Sequence, residues 1–136
     1  MKLKVAYVFY VQAIALLITS LLWIFAPGAF YESGGLSTTD PGWLLFGRNT
    51  GALLFGLAPI AFFAGRSPDS PLRRQLLLSF FLLHLVSFLI YAIVLVTTQV
   101  SFGPAIYLHI VFGLAFGYFQ FFQSGMAGIS EGGGKS

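Results

Sequence analysis

The sequence predicts an all-α integral membrane protein, an antiparallel up-down four-helix bundle, and three observations carry that prediction. Of 136 residues, 57% are hydrophobic and only 8% are charged, whereas an average soluble domain carries about a quarter charged residues to cover its surface. The apolar residues fall into four runs, each close to the roughly 20 residues that a helix needs to cross the hydrocarbon core. The runs are continuously apolar rather than alternating, which excludes barrel strands of about 10 residues. Backbone polar groups left unpaired are not tolerated in hydrocarbon, so each run must be a helix.

The first span is read over residues 5–26, behind Lys2 and Lys4. Its apolar core exceeds the 7 to 15 residues of a cleaved signal h-region, so it is expected to stay as an uncleaved helix. The segment "PGAFYESGGLSTTD" that follows is rich in glycine, serine and threonine and reads as a loop. Asp40-Pro41 then supplies an N-cap acceptor followed by a proline at the first helical turn, where a missing N–H costs nothing. The second span follows at 42–65. Ser70-Pro71 and Gly103-Pro104 repeat the device ahead of spans at 72–98 and 104–124. These helices make a single domain over 1–125, and the glycine-rich tail 126–136 is expected to be flexible.

Basic residues set the orientation. Lys2, Lys4, Arg66, Arg73, Arg74 and Lys135 lie at the N-terminus, the second loop and the C-terminus, which an even number of spans puts on one side. Both termini are therefore expected in the cytoplasm, in the cytoplasmic membrane, with Glu32 and Asp40 outside. Arg48 is the one basic residue left over, about seven residues or roughly 10 Å into the second helix.

At that depth the sequence also places Thr19 and Ser20, Tyr91 and His109. Arg48, Asn49, Tyr91, His109 and Thr19 are thus the candidate ligand-binding residues of an outer-leaflet polar layer. A charge inside a span is costly and often marks a ligand site, while an arginine this near the end can also snorkel to headgroups. Gly47 and Gly51 form one GxxxG pair and Gly113 and Gly117 another, spacing that lets helix backbones approach within the bundle or against a partner chain. His109, Gly113, Gly117 and Gln120 share one helix face, as do His84, Ser87, Tyr91 and Thr98 on the third span and Gln12, Leu16, Thr19 and Trp23 on the first.

Other chemistries are excluded or unsupported. Cysteine is absent, which removes thiol redox chemistry and cysteine-ligated clusters. All four acids, Glu32, Asp40, Asp69 and Glu131, lie outside the spans, so neither ion-coupled transport nor a Ser-His-Asp arrangement has its carboxylate. With the helix ends taken as level, His84 falls about eight residues, roughly 12 Å, from the height of His109. Each is then expected to be a separately hydrogen-bonded buried histidine, and no metal site is expected. The aromatic runs "SFFLLHL" and "GYFQFFQ" read as lipid-facing or interfacial. No basic cluster suits nucleic acid.

The stretch "GRNTGALLFGLAPIAFFA", with Arg48-x-x-Gly51 followed by Leu53-Leu54 and Gly56, resembles small bacterial four-span proteins of the DoxX-like kind. The similarity covers mainly residues 47–65 and the four-span layout. It implies quinone-dependent oxidation or service as a membrane partner of another enzyme, and it transfers no residue beyond Arg48 and Gly51. The function expected is that of a non-catalytic accessory or interaction subunit, its partners being the bilayer and other membrane subunits or a second copy. The alternative is a binder of, or quinone-linked enzyme acting on, a small hydrophobic molecule or lipid held around Arg48. No cofactor is predicted beyond such a quinone or lipid.

Overall fold

The computed structural model describes residues 4–33, 40–98 and 105–123, with backbone only at Thr98 and Gln123. The chain is all-helical over these residues: α1 Val5–Phe25, α2 Pro27–Ser33, α3 Pro41–Arg66, α4 Pro71–Thr98 and α5 Ala105–Tyr118, which runs on into a π-helical turn, Phe119–Gln123. Four of the helices are long and apolar enough to cross a membrane, the last of them as α5 plus its π-turn. Gly103-Pro104 and the tail 126–136 lie outside the described residues.

Local chemistry explains where the helices begin. Asp40 Oδ1 accepts from the Gly42 N–H at 2.7 Å, with Pro41 at the first helical position of α3. Ser70 Oγ accepts from the Arg73 N–H at 3.3 Å ahead of Pro71 in α4. Beside it, Arg74 donates to both carboxylate oxygens of Asp69, and this hydrogen-bonded guanidinium holds the Asp69 carboxyl below the usual carboxylate range.

The first loop is not irregular throughout. Pro27 fixes the φ that a helix needs at its first residue, and α2 follows for seven residues. Its Tyr31 is buried and donates its hydroxyl to the Trp43 carbonyl at 3.0 Å. Trp23 stacks on Phe30 with centroids 4.5 Å apart and meets Tyr31 edge-on at 5.3 Å. An aromatic clasp therefore joins the end of α1 to the start of α3. Glycine and serine content had pointed to loop, but the tertiary contacts of Tyr31 and Phe30 override that local preference.

Packing is organised as two helix pairs. On α3 the buried residues are all small: Gly47, Gly51, Ala58, Ala61, Ala64 and Gly65. A Cβ on Gly51 would lie 2.8 Å from the Ser20 carbonyl oxygen and 2.9 Å from the Ile24 nitrogen, so α3 rests directly on the α1 backbone. Gly47 lies against Trp23 and Pro27, and Gly65 against the Tyr10 ring. Numbers that rise along α3 meet numbers that fall along α1, which makes this pair antiparallel. In the second pair, a Cβ on Gly113 of α5 would lie 3.6 Å from the His84 Cβ, and one on Gly117 would meet the Phe81 ring.

The two pairs meet on α1. Phe9, fully buried, touches Phe80 edge-on at 5.9 Å and Phe116 at 5.3 Å, while Phe80 and Phe116 stack at 5.4 Å. Phe112 and Phe119 complete this core. The aromatic runs are thus split by helical periodicity. Phe80 and Phe119 are buried, whereas Phe121 and Phe122 are exposed.

Candidate functional site

A lone amide in an apolar span must find a hydrogen-bond partner inside the protein, because lipid offers none. Gln12 on α1 is 2% exposed and its Oε1 lies 3.0 Å from Nε2 of His84 on α4. His84, itself 4% exposed, uses its other nitrogen on α5: Nδ1 is 3.0 Å from Nδ1 of His109. One polar chain, Gln12–His84–His109, therefore crosses the core from α1 through α4 to α5 and ties the two helix pairs together.

The two histidines form one cluster, contrary to the separation that level helix ends imply. His84 stands opposite Gly113, which is one turn from His109, or about 6 Å along the axis. Imidazoles on facing helices bridge such an offset. The error lay in the axial register: α5 is shifted along α4 by about a turn relative to flush ends.

Aromatic groups enclose the pair. His84 stacks on Phe112 at 5.3 Å and on Phe116 at 5.9 Å. His109 is half-buried and lies beside the Tyr91 ring, with centroids 5.3 Å apart and planes tilted by 31°. Phenylalanine faces give no hydrogen-bond partners, so the Gln12 amide and the neighbouring ring nitrogens must satisfy one another.

The sequence-selected residues fall in two places. Tyr91 and His109 come together between α4 and α5. Arg48 and Asn49 are exposed on α3, and among the described residues the Arg48 side chain makes no hydrogen bond or ion pair with Glu32, Asp40 or any other group. Thr19 is half-buried on α1. Gly47 and Gly51 line the α1 contact, and Gly113 and Gly117 the α4 contact.

Among the described residues no three histidines or acids gather as a metal-binding group. Gln12 and His84 are the members that sequence reasoning missed as partners. The available signal was that Gln12 is the only amide in its span, so it required a partner in another helix. Comparison with protein-family models, curated proteins and solved structures gives no match.

Proposed function

We propose that the chain is a four-span protein of the cytoplasmic membrane, with both termini in the cytoplasm, that serves as a non-catalytic accessory subunit of a larger membrane assembly. The observation that carries this reading is Arg48. It stands about 10 Å into a spanning helix, exposed on the side of the bundle and without a counter-charge among the described residues. The neighbouring small-residue face is already used against α1, so α3 offers its cation outward. Five N–H donors in a rigid fork suit a carboxylate or carbonyl group on a partner helix.

The test is extraction in mild detergent with and without Arg48→Leu. Wild-type protein should bring a defined membrane partner with it, and the variant should lose that partner while remaining folded. A wild-type chain that comes out alone sinks the proposal. A reporter fused to the C-terminus should be active in the cytoplasm, as the basic flanks require.

A second reading has an observation of its own. The His109 and Tyr91 rings lie side by side between α4 and α5, and together they bring polar atoms to a seam that a small hydrophobic molecule could reach from the bilayer. A DoxX-like kinship, with its link to quinones, belongs to this proposal and rests on the Arg48 to Gly56 stretch.

A further inference from the structure

The polar chain through the core has a direction, and the direction fixes what its outer end accepts. An amide oxygen only accepts hydrogen bonds. With Oε1 of Gln12 facing His84 at 3.0 Å, the proton must sit on His84 Nε2. A neutral imidazole that carries its proton on one nitrogen presents a lone pair at the other. His84 Nδ1 is then the acceptor, and His109 Nδ1, at 3.0 Å, is the donor. The same rule applied once more leaves His109 Nε2 without a proton. It is an acceptor, on a half-buried ring at the outer end of the chain, and among the described residues no group donates to it.

We propose that His109 Nε2 is a binding site for the hydroxyl group of a membrane-soluble phenol or alcohol, which enters from the lipid side between α4 and α5. An acceptor left unpaired in hydrocarbon is costly, and the ligand's O–H removes that cost. The Tyr91 ring, 5.3 Å from the imidazole, is the wall against which an aromatic ligand lies. Specificity follows from the proton order. A hydroxyl is preferred over an ether or ketone of the same shape, which has no donor to offer. This rests on the second reading above and names the chemistry of its ligand.

The probes are 4-hexylphenol and its methyl ether, titrated into the purified protein in detergent and followed by histidine ¹⁵N NMR. The phenol should bind about tenfold more tightly than the ether, the scale of one net hydrogen bond. His109→Phe, which keeps a ring but removes both nitrogens, should erase that difference. Because this variant also strips His84 of its donor and can unfold, the wild-type spectrum is a separate check. His109 Nε2 should resonate as an unprotonated, pyridine-type nitrogen and move on addition of the phenol. Equal binding of phenol and ether, preference for the ether, or a protonated Nε2 in the free protein each overturns the proposal. Partner loss in Arg48→Leu is read on another helix, so failure of either experiment leaves the other's result standing.

Discussion

At the scale of single residues, the glycines of α3 differ sharply in what they permit. Gly51 has the backbone of α1 against it, with the Ser20 oxygen 2.8 Å from any added Cβ, and backbone cannot swing aside as a side chain can. Gly56, five residues further along, has nothing within 4 Å. Gly51→Ala should therefore destabilise the protein by about 1–3 kcal/mol through forced separation of the helices. Gly56→Ala should be neutral or stabilise it by up to about 1 kcal/mol through helix propensity. Thermal unfolding of the two variants in the same detergent separates these outcomes, and equal shifts would refute the contact. Gln12→Leu is a second residue-scale case. It leaves the His84 Nε2–H without an acceptor in a buried site, and the expected loss is about 1–3 kcal/mol.

Much of this scale is legible in the sequence. The GxxxG spacing of Gly47 and Gly51 marks a surface of close approach, and a span with one amide demands a partner for it. What the sequence lacks is the height of one helix against another. Periodicity tells which face His84 and His109 occupy, because it depends only on residue differences within one helix. Their relative height depends on how α5 slides along α4, and the packing of Gly113 and Gly117 against His84 and Phe81 decides that.

At the scale of elements, α2 shows a short helix held by its contacts rather than by its composition. A seven-residue helix is too short to persist alone. Its anchor is the Tyr31 hydroxyl on the Trp43 carbonyl. Tyr31→Phe should cost about 1 kcal/mol and raise the proteolytic sensitivity of the segment between α1 and α3; unchanged cleavage would show that the ring contacts suffice. Burial pushes the Tyr31 phenol above its ordinary range, so the clasp has a pH signature. The neutral phenol is favoured in the folded protein, and its contribution is whole below the unfolded tyrosine's pKa near 10. That contribution declines as pH rises through the higher folded value. Wild type should lose stability in this alkaline window more steeply than Tyr31→Phe, as measured by thermal midpoints across the range. The continuous apolar runs announce α1, α3, α4 and α5, while α2 is hidden because its cause lies in Trp23 and Trp43, outside its own residues.

At the scale of the whole molecule, α1 is, among the described residues, the helix through which the two pairs meet. It presents backbone and small-residue contacts to α3, and Phe9 and Gln12 to α4 and α5. Phe9→Ala should loosen the second pair from the first while leaving the α1–α3 contact intact. Its cost should fall below the roughly 3–5 kcal/mol of such a truncation in a water-soluble core. Lipid supplies no hydrophobic drive between helices, and only the lost packing counts. Cysteine pairs engineered across α1–α3 should keep crosslinking in this variant while pairs across α1–α4 weaken. Equal retention of both would show that the pairs are joined elsewhere.

The chain through Gln12 also bears on the order in which the protein is made. Gln12 emerges among the first residues, and its partner His84 is 72 positions behind it. When only α1 and α3 have formed and closed on each other, the Gln12 amide still lacks His84, its one cross-helix partner among the described residues. The incomplete hairpin therefore carries an unsatisfied polar group toward the side on which the second hairpin must dock. The buried amide thus makes docking of the second hairpin a matter of register, because only the height that brings His84 to Gln12 pairs it.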